Sequence, residues 1–328
     1  MRVVVTGGGG FLGALLIRRL LADGAAVVAG EEHRVDEVVV LDLVPPPDDV
    51  AADPRVRALV GPLAQQLRAL GDTDLLFHLA GVVSGAAEAD LDLGLETNVD
   101  GMRALLDACR GFASPPVVVF ASSLAVFGRD PAGSTPEVVR DDTLPTPQTS
   151  YGAQKLMGEL LLADLSRRGL VDGRSVRLMT VSVRPGRPNA AASSFLSGII
   201  REPLAGETAD CPVPPDAPVA VSSPARTIEG LLRAAAVSAE EWGSRSALTL
   251  PALTTTPREM VEALARVSGP EVAARVRWTH DPVIAGMVAG WPARFAGERA
   301  AALGLEPEPD FESIVRQYAA ALPARNDG

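Results

Sequence analysis

The chain has 328 residues, of which 47% are hydrophobic and 22% charged. That is enough apolar material for two packed units rather than one, and it argues against disorder. A net charge of −11 and a pI of about 4.9, with no dense run of basic residues, exclude nucleic acid as the expected partner.

In chain order, "RVVVTG" reads as a buried strand and "GALLIRRLLADG" as a helix closed by Gly24. "EVVVLDL" is the second strand, after a loop extended by "GEEHRVDE". "VRALVG" is a weak third strand, "DLLFHLAG" a fourth and "PVVVFASS" a fifth. "NVDGMRALLDACRG" and "YGAQKLMGELLLADLSRRG" are helices on either side of that fifth strand, and "VRLMTVSVRPG" is a sixth. Near-continuous apolar strands alternating with helices predict an α/β fold, a doubly wound parallel Rossmann sheet covered on both faces. After Pro185 the texture changes. "CPVPPDAPVAVSSPA" reads as loop, and "PREMVEALARV" and "PDFESIVRQYAAAL" as helices. The expected division is a nucleotide-binding domain over 1–182 and a smaller substrate-binding region over 183–328, with some segments of the latter returning to the sheet.

No run reaches the roughly 18 apolar residues of a membrane helix. The first strand starts at residue 2, leaving no room for a signal peptide. Cys109 and Cys211 lie far apart without metal-ligand spacing, as two free thiols of a reducing cytosol would. The expectation is a cytoplasmic protein with neither membrane nor metal.

Gly7, Gly10 and Gly13 form G-x-x-G-x-x-G between the first strand and the first helix, with Phe11 and Leu12 packing beneath the turn. In that setting, glycines let the backbone approach a pyrophosphate and present helix N–H groups to it. Asp42 ends the second strand, where a carboxylate accepts hydrogen bonds from adenosine ribose and repels a 2′-phosphate, favouring NAD over NADP. Leu79, Ala80 and Gly81 end the fourth strand beside the cofactor, and His78 reads as a structural residue there. Asn98, at a predicted helix start, either caps that helix or reaches the cofactor or a proton-relaying water.

Ser122 and Ser123 close the fifth strand at the sheet edge where ligands bind. Tyr151 begins the next helix and Lys155 follows one turn later. A free tyrosine, with a pKa near 10, is a poor base at neutral pH. An adjacent ammonium and a positively charged nicotinamide both favour its phenolate. Tyr151 would then take the proton of a substrate hydroxyl held by Ser123.

"TGGGGFLG", "FHLAG", "NVDGMRALL", "SSLAVFG", "YGAQK" and "VRPG" follow one another as in the extended short-chain dehydrogenase/reductases, and the chain resembles that family over essentially its whole length. The resemblance carries the family's catalytic Ser, Tyr and Lys onto Ser123, Tyr151 and Lys155. It places Pro185 against the nicotinamide, adds Leu43 and Leu63 to the cofactor contacts, and implies a homodimer through the helices near 98–110 and 151–167. Phe127 stands where a tyrosine is usual, and Pro62 where many members carry an adenine-side aspartate. Ser123-Leu124-Ala125 replaces the Thr-Asp-Glu of sugar dehydratases, which argues against dehydration.

Longer stretches, "VVSGAAEADLDLGLETNVDG", "SRRGLVDGRSVRL" and "VRPGRPNAAASSFLSGIIREPLAG", resemble the branch that oxidises D-erythronate, a four-carbon sugar acid, at C2 with NAD. A nucleotide-sugar 4-epimerase is the alternative. A short polyhydroxy acid needs one cation and several small hydrogen-bonding groups. Arg187 leads for the carboxylate, with Arg226 second. Ser84, Asn189, Ser193 and Ser194 supply polar contacts, and Trp291 reads as a core residue in the first place and as a pocket wall in the second. Arg184 reads as a structural residue inside the sixth strand.

Overall fold

The computed structural model of the protein describes residues 1–130, 132–186, 191–243 and 245–322. Seven strands form one all-parallel sheet: β1 (Arg2–Thr6), β2 (Glu37–Asp42), β3 (Val56–Val60), β4 (Leu75–His78), β5 (Val117–Ser123), β6 (Asp172–Leu178) and β7 (Leu248–Thr249). Their order is β7-β6-β5-β4-β1-β2-β3, so the winding direction reverses between β1 and β4. That reversal opens a crevice above the carboxyl ends of these two strands, which is where a doubly wound sheet binds its ligand.

The strands are apolar on both sides because both sides are covered. Val3 and Val5 of β1 pack into one core with α1 (Phe11–Asp23) and α5 (Pro224–Ala236). Val4, between them, packs into the opposite core with α2 (Gly101–Cys109) and α3 (Ser150–Arg167). Gly24 closes α1 in the left-handed conformation, φ 68°, as expected of a helix-ending glycine. A third core joins α4 (Phe195–Ala205), α6 (Pro257–Ser268), α7 (Pro282–Ala289) and α8 (Phe311–Ala320) through Ile199, Leu264, Val288 and Ile314.

The structure corrects several local expectations. "GEEHRVDE" is not an extended loop, because Ala25–Val28 and Glu31–Arg34 pair as an antiparallel hairpin. The supposed loop "CPVPPDAPVAVSSPA" contains the strand Val219–Ser222 and the start of α5, whose N-terminus Ser223 caps by accepting the Arg226 N–H at 3.0 Å. The sixth strand begins earlier than its apolar run suggests and stops at Leu178. Thr180–Val181 then pairs with Val221–Ser222 in a separate small sheet. Arg174 lies in β6 with 0% exposure, and its guanidinium donates to the carbonyls of Ala234 and Ala235 at the end of α5. α5 and β7 return to the main sheet from beyond residue 182.

Candidate active site

A cleft of about 2330 Å³ runs along the carboxyl ends of the strands, from Asp42 at one end to α4 and α7 at the other. Its nucleotide end is made mostly of backbone. Gly7 turns the chain at φ 75°, and a Cβ there would lie 2.6 Å from the Ala80 backbone nitrogen. A Cβ on Gly13 would lie 2.2 Å from the Gly7 carbonyl oxygen, so α1 can approach the turn this closely only with glycine. Gly10 precedes α1 and supplies no side-chain cap, which leaves first-turn N–H groups for an anion.

The Asp42 carboxylate accepts the Gly9 N–H at 2.9 Å and the Val44 N–H at 3.3 Å. It is thereby fixed at the rim with lone pairs left over for ribose hydroxyls. Phe11, Leu12, Leu43, Leu63, Leu79, Ala80, Gly81 and Pro185 all line the cleft, as does Pro62. The turn, the open helix end and the fixed carboxylate fit a dinucleotide.

At the reaction end, Thr149 caps α3 by accepting the Gly152 N–H at 3.1 Å. A Cβ on Gly152 would lie 2.1 Å from the Ala125 carbonyl oxygen. This contact sets the first turn of α3 directly on the turn that follows β5, bringing Tyr151 to Ser123. Ser123 Oγ accepts the Ala125 N–H at 3.1 Å, and its hydroxyl lies near enough to the phenol to favour the phenolate.

The electrostatics differ from the simple expectation. Burial pushes the Tyr151 phenol above its ordinary 10, opposed by the Ser123 hydrogen bond and then by the positive charge of Arg184. The Lys155 ammonium lies over the Tyr151 ring, 5.7 Å from its centroid, and 4.8 Å from that of Phe120, and donates to the Ala121 carbonyl at 2.8 Å. Lys155 is 5% exposed, and burial pushes it down to about 8. Two cations thus bear on the phenol: Arg184, whose charge opposes the effect of burial, and Lys155, whose ammonium lies over the ring.

Asn98 does not play the capping role that was one of its two readings. It lies inside a π-helical stretch, Leu95–Asp100, continuous with α2, and so caps nothing. Its amide turns inward. Oδ1 accepts the Val82 N–H at 2.9 Å, and Nδ2 donates to Val82 O and Gln154 Oε1 at 3.1 and 2.8 Å. It pins the loop after β4 to α3. Gly81 packs between Asn98 and Lys155, where a Cβ would lie 2.9 Å from Asn98 Oδ1 and 3.5 Å from Lys155 Nζ. His78 is buried, hydrogen-bonds Thr6 at 2.7 Å and stacks on Phe120, in keeping with a structural role.

Ser84, Ser193, Ser194 and Trp291 line the cleft. Arg187 and Asn189 lie outside the described residues. Arg226 is removed from the cleft: it donates to Glu229 at 2.8 Å and lines a separate depression of about 730 Å³. Arg184 corrects the sequence reading in the other direction. It is not a strand-interior residue, because the chain has left the main sheet by then, and its half-buried side chain lines the cleft. The Arg184 N–H donates to Ser197 Oγ at 3.0 Å, and Arg201 Nη1 donates to the Arg184 carbonyl at 2.8 Å. No partner for the Arg184 guanidinium is found among the described residues. The sequence did hold a signal for it, namely its position directly before Pro185.

Residues 3–217 match the family model described as "NAD dependent epimerase/dehydratase family". The chain belongs to that family. Within it, the chain is 50% identical over 270 residues to D-erythronate dehydrogenase of Cupriavidus necator, covering 81% of this chain and 82% of the relative. It is 40% identical to D-erythronate dehydrogenase of Haemophilus influenzae, covering 81% and 84%. The solved structure of a nucleoside-diphosphate-sugar epimerase from Agrobacterium tumefaciens superposes with a TM-score of 0.87 at 38% identity, covering 98% of this chain and 94% of that one. L-threonine 3-dehydrogenase from Trypanosoma brucei, at 23% identity and a TM-score of 0.82, shares the fold. Among the described residues, no helix is long and apolar enough to cross a membrane, and no cluster of metal-ligating side chains is found.

Proposed function

We propose that the protein is an NAD-dependent dehydrogenase that oxidises the C2 hydroxyl of D-erythronate to 2-dehydro-D-erythronate. The observation that carries this reading is the 50% identity to a D-erythronate dehydrogenase across four fifths of both chains. The assembled Ser123, Tyr151 and Lys155 supply the chemistry. NAD, when bound, accepts the hydride from C2. Gly7, Gly10, Gly13 and the N-terminus of α1 would hold its pyrophosphate, and Asp42 its adenosine ribose. Leu43 and Leu63 would flank the adenine and Pro185 the nicotinamide.

Ser123 Oγ orients the C2 hydroxyl, and Tyr151 takes its proton as the C–H bond breaks. Lys155 supplies positive charge beneath the phenol and a donor for the nicotinamide ribose. The Arg184 guanidinium receives the substrate carboxylate, because it faces the cleft beside Tyr151 and has the geometry for a two-pronged contact. Ser84 and Ser193 serve the remaining hydroxyls, together with Arg187 and Asn189. The nucleotide-binding unit is 1–182 and the substrate-binding unit 183–328, with α5 and β7 lent back to the first.

A second copy of the chain is the partner proposed for the outer faces of α2 and α3, where Met157 and Leu160 are 48% and 65% exposed. Two unpaired buried cysteines favour a reducing, cytoplasmic setting. The alternative reading, a nucleotide-sugar 4-epimerase, is favoured by the likeness to the Agrobacterium epimerase structure. A panel of tetronates and UDP-sugars with NAD and NADP separates the two. NADH accumulation with D-erythronate supports the dehydrogenase. Epimerised sugar nucleotide without accumulated NADH overturns it.

A further inference from the structure

Lys155 is the single lysine of the 328-residue sequence. It is buried, and its ammonium donates to an uncharged carbonyl, Ala121 O. Removal from water disfavours the ammonium, so something must offset that cost if Lys155 is to stay charged at neutral pH.

One turn further along α3 lies Glu159, 5% exposed. Its carboxylate accepts the Ser122 hydroxyl at 2.5 Å and the Arg177 Nε and Nη2 at 2.9 and 2.7 Å. Arg177, on β6, is 7% exposed and lies 4.7 Å over the Phe127 ring. The end of β5 thus holds two members of the site by hydrogen bonds, Lys155 through Ala121 O and Glu159 through Ser122 Oγ, and the next residue, Ser123, lies beside the phenol.

The charged and titratable groups around Lys155 can be named element by element. Tyr151 and Glu159 lie on α3 itself. His78 faces it from β4 and is neutral, burial holding it down at about 3. Arg177 on β6 stands behind Glu159, and Arg184 lies beyond Tyr151. Glu159, ion-paired with Arg177, is the one carboxylate among them, and it raises the proton affinity of Lys155 against burial.

We propose that Glu159, fixed by Arg177 and Ser122, is a positioning residue that keeps Lys155 charged at neutral pH and so sets the pH range in which Tyr151 works as a base. The proposal rests on the reading of Tyr151 and Lys155 as the proton-transfer pair. It assigns the buried Glu159–Arg177 pair a part in the chemistry as well as in packing.

Because there is one lysine, full-length protein grown with ε-13C-lysine gives a single side-chain resonance, and its pH titration reads Lys155 directly without substrate. In Glu159→Gln, which leaves Arg177 uncompensated, the midpoint is expected to fall by about one pH unit or more. The alkaline limb of kcat/KM is expected to fall with it. In Arg177→Gln the midpoint is expected to hold or rise. Folded Glu159→Gln protein with a wild-type midpoint overturns the proposal. Should that variant not fold, Arg177→Gln is compared with the double variant Glu159→Gln/Arg177→Gln. A lower midpoint in the double variant supports the proposal, and coincident midpoints overturn it. Failure of the functional reading is seen separately, as absence of tetronate oxidation by wild-type protein whose Lys155 titrates as described.

Discussion

The two ends of the cleft are built by opposite means. The nucleotide end is mostly backbone, with Gly7, Gly10 and Gly13 within seven consecutive residues and helix N–H groups facing out. The Asp42 carboxylate there stays at the rim, tied among the described residues to the Gly9 and Val44 N–H groups. The reaction end is made of side chains withdrawn from water. Lys155, Glu159 and Arg177 are each at least nine-tenths buried, and they come from α3 and β6 around the end of β5. The difference teaches where each part is vulnerable. At the first end a change acts through sterics and local hydrogen bonds. At the second it acts through charge in a medium that screens poorly.

The sharpest way to break the comparison is Tyr151→Phe, which removes one oxygen from the reaction end. Turnover of D-erythronate is expected to fall by about 10³-fold, with NADH binding and thermal unfolding near wild type. Turnover close to wild type in a steady-state assay would remove Tyr151 from its role. Next comes Arg184→Met. If its guanidinium receives the carboxylate, kcat/KM is expected to fall by about 10²-fold while the NADH dissociation constant holds. A wild-type kcat/KM would leave the carboxylate to Arg187.

Burial at the reaction end also predicts a pH dependence of stability. His78 is held at about 3 in the folded chain against an ordinary 6.5. Above pH 6.5 it is neutral in both states, so its contribution is intact. As pH falls from 6.5 toward 3 the unfolded chain takes up a proton that the folded chain refuses, and stability is lost. Between pH 6.5 and 5 the loss is expected to be about 2 kcal/mol, read from urea unfolding, and His78→Asn should flatten that slope. The smallest effect belongs to the solvated end. Asp42→Ala is expected to shift the NADP-to-NAD preference by about tenfold in kcat/KM, through relief of repulsion toward a 2′-phosphate. An unchanged ratio would mean that the Asp42 carboxylate does not face the ribose.

Legibility followed the same division. The glycine turn, Asp42 and the Tyr151–Lys155 spacing could be read from the chain because each is local: neighbouring residues define a turn or one helix face. Arg184 was misread because "VRLMTVSVRPG" looks like one continuous apolar strand. Only the pairing of Thr180–Val181 with Val221–Ser222, some forty residues away, shows that the chain has left the main sheet and turned that arginine into the cleft. The capping reading of Asn98 failed for a related reason. Its partners, Val82 and Gln154, lie 16 and 56 residues distant, and a helix-start pattern says nothing about either.

What the sequence by itself determined is the parallel α/β sheet, the glycine-lined turn and the one-turn spacing of Tyr151 and Lys155 on a helix, the pair proposed for proton transfer. Each follows from short-range sterics and from the period of apolar residues. What only the tertiary structure decided is the charge environment of that pair: Arg184 lining the same cleft as the phenol, and Glu159 paired with Arg177 near the lysine. Electrostatic energy in a buried site depends on distance through space and on exclusion of water, and neither quantity is written in sequence separation.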